Sequence, residues 1–219
     1  MKKFLTLIIA FLAVTAGFAQ SEKYVNAMEA LVPSIDTTMN REELTALANS
    51  FERIATAEKT QWLPYYYAAL ANIKAGYTYA MGGTMSDKTA DIDPLADKAE
   101  QLLNKADELN KNNTEVWVVK KMLASLRLMA NPTVRYMEYL AKATAALEMA
   151  KKLNGENPRI FLLEGQDLFF IPEEFGGDKV EAKKRFETAV SKFSTYKPES
   201  SIHPNWGLRD TNYFLTQAK

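Results

Sequence analysis

The chain has one histidine and no cysteine, which leaves few of the usual reactive groups. His203 precedes Pro204 in a stretch that reads as a loop, with no second histidine to share a metal ion. A lone histidine can serve as a general base, but no serine or acid is ordered in the sequence to work with it, so we read it as a loop residue. Glu164 and Asp167 lie three residues apart and share a helix face. An acid–base pair needs one carboxyl held at a raised pKa, and here the surrounding run from Ile160 to Phe170 reads as a solvated or groove-lining helix. Asp87, Asp91 and Asp93, near Glu100, gather carboxylates, but the glycine and the closing glutamate of a calcium loop are missing at their offsets. Asp93 before Pro94 reads instead as a helix cap. In Phe175-Gly176-Gly177-Asp178, two glycines before a helix start have the makings of an anion cradle. That stretch lacks the lysine and the strand of a phosphate loop, and Asp178 would repel a phosphate. A tight turn with Asp178 as cap and Phe175 packed beneath it is the expectation. No catalytic residue, cofactor or metal follows from these residues.

Tyr65-Tyr66-Tyr67, with Tyr77 and Tyr79 beyond, is the densest cluster of one residue type. Three consecutive helical residues span roughly 200°, so at least one ring must be exposed or half-exposed. Tyrosines suit both packing seams and binding surfaces, and both readings stand for this cluster.

The elements that must position these residues are helices. From Asn40 onward apolar residues recur every three or four positions, the period of a helix with one buried face. Breaks at Pro, Gly and Asn divide the chain into eight helices, over about 41–58, 62–80, 93–109, 114–130, 132–153 and 158–170, then one capped by Asp178 and a last one over about 205–217. The third, fifth and seventh share a core of small and large apolar residues: Ala99-Leu102-Leu103-Ala106, Ala143-Ala146-Leu147-Ala150 and Ala182-Phe186-Ala189. Each precedes a helix opening on a large ring, Trp117, Phe161 or Trp206, with Trp62 in the same place after the first. Small residues let two helices approach closely, and the ring fills the wedge to the next pair. This is the logic of a helical solenoid.

Over residues 41–217 this pattern resembles the tetratricopeptide family, with units longer than the family's roughly 34-residue period. The run from Phe169 to Asp178 and Pro204-Asn205-Trp206-Gly207 is similar to exported tetratricopeptide-like proteins of the Bacteroidota. A more remote resemblance is to the periplasmic T-component of TRAP-type transporters. The resemblance implies an all-α fold, a tetratricopeptide-like α-solenoid of about four antiparallel helix hairpins. It implies a groove lined by the second, fourth, sixth and eighth helices. Tyr66, Lys120, Arg127, Gln166 and Asp167 are the candidate groove or partner contacts. The expected function is that of an exported, non-enzymatic interaction or scaffold protein that holds a protein or peptide partner, or a small ligand. The alternative is a solute-binding subunit associated with a transporter.

Lys2 and Lys3 before the apolar run Phe4 to Val14, closed by Gly17-Phe18-Ala19, read as a secretory signal over 1–19 with cleavage between Ala19 and Gln20. Residues 20–40 are expected as a lead-in and 41–219 as a single repeat domain. The run is too short for a bilayer span, which takes about 20 residues, and without cysteine there is no lipoprotein anchor. The address is therefore periplasmic or secreted, and no span is expected after cleavage. With 27 basic and 27 acidic residues and no basic block, the chain lacks the footprint of nucleic-acid binding.

Overall fold

A computed structural model describes residues 22–81 and 86–218. The expected signal segment, its cleavage point and the glycine pair expected to stop the second helix, Gly82-Gly83, lie outside the described residues. Among the described residues every regular element is helical. Helix α1 covers 22–29 of them. It is followed by α2 (Ser34–Thr37), α3 (Arg41–Ala57), α4 (Trp62–Ala80), α5 (Thr89–Leu109), α6 (Thr114–Ala130), α7 (Pro132–Asn154), α8 (Pro158–Phe170), α9 (Lys179–Thr195) and α10 (Leu208–Gln217). Each long helix packs along its neighbours in the chain, α3 on α4, α4 on α5, α6 on α7 and α8 on α9, as antiparallel hairpins.

The helix starts follow from side-chain caps. Asn40, Asn113, Asn157 and Asp178 each stand in extended backbone and accept a backbone N–H of the first turn, satisfying donors that have no partner inside the helix. α3 and α5 bury one apolar stripe each, while α4 is buried nearly all round and forms the axis of the stack. The segment expected as a lead-in is helical, and its Tyr24, Met28, Val32 and Ile35 enter the same core as α4.

Two boundaries differ from expectation. α5 begins at Thr89, so Pro94 lies inside it and Asp93 is not its cap. Asp87 bonds the Thr89 N–H and hydroxyl at 2.9 and 2.7 Å and starts the helix earlier. The proline is tolerated because the carbonyl it leaves unbonded belongs to exposed Ala90, where water serves as donor. The last helix begins at Leu208, after Gly207, whose φ of 108° breaks the helical path. Trp206 is therefore buried in the segment before the helix and does not open it.

Hairpin α8–α9 crosses at Gly165, where an added Cβ would fall 2.5 Å from Cε1 of the buried Phe186 ring. Phe169 and Phe214 flank that ring and leave it nowhere to move. Gly165→Ala is expected to cost a net of up to about 2 kcal/mol, about 1–3 for overpacking less the helix-propensity gain of about 1. The midpoint of urea unfolding reads it.

Candidate functional site

Antiparallel hairpins give the stack two unlike ends. At one end lie the first turns of α4, α6 and α8, and there Arg159, fully buried, carries a guanidinium into the interior. Its Nη1 donates to Glu115 Oε1 at 2.9 Å and its Nη2 to the Pro204 carbonyl at 2.6 Å. Asn157 donates to the same Glu115 oxygen at 2.7 Å. The Tyr196 hydroxyl bonds the Pro204 carbonyl at 3.0 Å, and Trp206 Nε1 donates to the Tyr66 hydroxyl at 2.8 Å. The guanidinium lies 4.9 Å from the Tyr196 ring centroid and 5.1 Å from that of Trp206. Burial works hardest against the charge on Arg159, but Glu115, Tyr66 and Tyr196 together outweigh it and hold the group above its ordinary pKa. Burial first, and Glu115 second, push the Tyr66 hydroxyl well up, so it stays protonated. The loop 196–207 is thereby fastened across this end. The N-terminal segment is tied to it in turn, through Gly207 N–H to Asp36 at 3.0 Å and Arg209 to the Thr37 carbonyl at 3.0 Å. Beside it Asp36, Phe193, Asn205, Leu208, Arg209 and Asn212 line an open hollow of about 480 Å³.

The opposite end holds the last turns of α4, α6 and α8 and the first of α3, α5, α7 and α9. Arg41 reaches Thr78 at 2.9 Å and Arg135 bonds both oxygens of Asp93 at 2.6 and 2.7 Å, which ties these helix ends together. Leu208 aside, every large apolar side chain left exposed among the described residues lies at or beside this end. Met129, Val134 and Met137 lead on α6 and α7, and Phe170, Phe175 and Val180 on α8 and α9. Along α7, Val134, Met137, Ala141, Thr144, Glu148 and Lys151 recur at intervals that put them on one face. Lys151, in the last turn of α7, bonds Glu164 of α8 at 2.7 Å, while Val134 and Met137, at the start of the helix, are 78% and 80% exposed. α5 packs along α6, whereas α7 and α8 meet sparingly beyond the turn that joins them. α7 and α8 thus leave a wedge between them, toward which α8 turns Glu164 and Asp167, and Lys121, buried and bonded to Asp167 at 2.5 Å, bridges α6 to α8.

The sequence-predicted contacts fall in different places. Tyr66 is fully buried with its hydroxyl bonded to Trp206, so it is a core residue and not a groove contact. Lys120 and Arg127 face α5, where Lys120 pairs with Asp107 at 2.7 Å and Arg127 with Asp97 and Glu100 at 2.8 and 2.7 Å. Asp167 borders the wedge, and Gln166 beside it is half-buried. Of the tyrosine run, Tyr67 is buried, and half-buried Tyr65 bonds the Ala55 carbonyl at 3.1 Å. Glu164 and Asp167 do not form a pair, since each has its own cation. Phe175 is exposed, not packed beneath its turn. The turn closes through backbone bonds from Gly176 and Gly177 to Glu173 and Pro172, which spends the N–H groups an anion would need. His203 bonds Ser200 at 2.7 Å and lies 6.0 Å from the Trp62 ring, at the fastened end. Among the described residues no cluster of three or more His, Cys, Asp or Glu is placed to hold a metal ion.

Fold and site together define a stacked-hairpin helical protein with one fastened end and one open apolar end. No protein-family model matches the chain and no curated protein matches it. Among solved structures it is similar to the HusA haemophore from Porphyromonas gingivalis, at 30% identity and a TM-score of 0.76, over 90% of this chain and 92% of that one. The chain belongs to the family of this haemophore.

Removing one partner of a buried ion pair leaves the other charge uncompensated and costs about 3–5 kcal/mol. Arg159→Leu is expected to lose that much, and adding Glu115→Gln to it is expected to recover part. Chemical denaturation of the two variants checks the order; a double variant no more stable than the single would contradict it.

Proposed function

We propose that the chain is an exported, non-enzymatic binding protein that captures haem or a haem-like tetrapyrrole at its open end. Kinship with a haemophore supports the ligand class, and the apolar side chains left exposed at the start of α7 and the end of α8 support the place. That exposed apolar surface is the single observation that carries the reading. Contiguous exposed apolar surface is costly to leave bare on a soluble chain and marks ligand or partner sites. A tetrapyrrole is a flat, mostly apolar plate with charged carboxylates at its edge. Val134, Met137 and Ala141 offer one wall to such a plate, and the end of α8 the other. Lys179, whose ammonium lies 5.9 Å from the Phe169 ring, supplies positive charge at the rim. Tyrosine and methionine are among the side chains that ligate haem iron, and Tyr136 and Met137 bring both kinds to the open end. His203, at the fastened end, does not serve this site.

Export rests on the signal segment, with Gln20 as the first residue of the mature chain. A peptide or protein partner that shares the same apolar end is the finer form of the scaffold reading, with Gln166 and Asp167 at its border.

Titration with haemin, followed by the Soret band, tests the reading. The chain is expected to bind. Val134→Asp combined with Met137→Asp, at positions 78% and 80% exposed, is expected to weaken binding by about tenfold or more with the unfolding midpoint unchanged. Equal binding by the double variant removes the exposed apolar face of α7 as the site.

A further inference from the structure

Among the described residues the methionines differ in exposure by place, with Met149 of α7 half-buried between the extremes. Met28 and Met122 are 0% and 8% exposed within the core, whereas Met39, Met81, Met129 and Met137 are 57%, 66%, 37% and 80% exposed, and all four lie at the open end. A thioether is useful there because it is apolar and conforms to irregular partners. It is also the side chain at that surface that a peroxide most readily changes, and reactivity follows access of the oxidant to sulfur.

We infer that the open end is an oxidation-sensitive switch in which Met137, converted to its sulfoxide by a peroxide, shuts the capture surface. This rests on the reading of that end as the capture site. In the step, the sulfur lone pair attacks one oxygen of hydrogen peroxide. The O–O bond breaks, an S–O bond forms, sulfur gives up two electrons, and the peroxide leaves as water. The product carries a strong hydrogen-bond acceptor where the thioether carried almost none. Met137 is 80% exposed on α7, one turn from Val134, so an apolar plate laid on that surface covers the acceptor without giving it a donor. Burying an unpartnered polar group costs enough to weaken binding by about tenfold. The change is reversible by reduction of the sulfoxide, which makes it a switch and not damage alone. The buried pair, Met28 and Met122, stays reduced under the same treatment, so the fold is retained while the surface changes.

The test treats the purified chain with limited hydrogen peroxide, locates sulfoxide by peptide mass spectrometry and titrates haemin before and after. Sulfoxide is expected on Met137 and Met81 ahead of Met28 and Met122. Haemin affinity is expected to fall about tenfold in step with Met137 oxidation and to return after methionine sulfoxide reductase. A Met137→Leu chain, whatever its starting affinity, is expected to keep it through the treatment. Oxidation of Met137 with affinity unchanged overturns the switch, as does an equal fall in the Met137→Leu chain. Failure of the untreated chain to bind haemin overturns the capture reading, and the switch with it, before any oxidant is added.

Discussion

A guanidinium with no access to water is the constraint around which this molecule is arranged. Moving a cation into the interior costs several kcal/mol even after relaxation, so Arg159 has to be met by an anion and by carbonyls held in place. Glu115 comes from α6, Asn157 from the turn before α8, and the Pro204 carbonyl from a loop that must cross the ends of the stack to arrive. Meeting that demand fixes the loop 196–207, and the loop then holds the N-terminal segment through Gly207 and Arg209. The first and last parts of the chain are joined at one end because one charge is buried there.

The other end is under no such demand. α4 is surrounded on all sides and supplies the core of the stack, and the hairpin stripes of α3, α5 and α9 close on their neighbours. The first turns of α7 have no comparable partner, and the apolar residues they carry face out. The wedge thus follows from how little α7 and α8 touch. The apolar side chains left bare at the start of α7 are the ground for proposing a ligand there.

Much of the fold was legible in the sequence because it depends on local signals. Seven of the helices follow from a three- and four-residue apolar period, five of them with asparagine or aspartate caps, and the all-helical class with them. What escaped was set by distant partners. Pro94 reads as a helix start, yet the helix begins at Thr89, where Asp87 accepts from the Thr89 N–H and hydroxyl. Tyr66 reads as a groove contact from its place in the second helix; it is buried, and its hydroxyl is met by Trp206, far along the chain. Arg159 gave no sign, since arginine is rarely buried unless paired, and its pair is a residue in another hairpin. A signal for the open end was present: Val134 and Met137 fall off the Ala143-Ala146-Leu147-Ala150 stripe of their own helix, so that stripe cannot bury them.

The central claim is that the fastened end is structural and the open end captures the ligand. Backbone hydrogen exchange followed along the whole chain, with and without haemin, tests it most directly. The account predicts slower exchange on haemin addition in the first turns of α7 and the last turn of α8, with the loop 196–207 unchanged. Slowing confined to that loop and α10, with α7 unaffected, would contradict it.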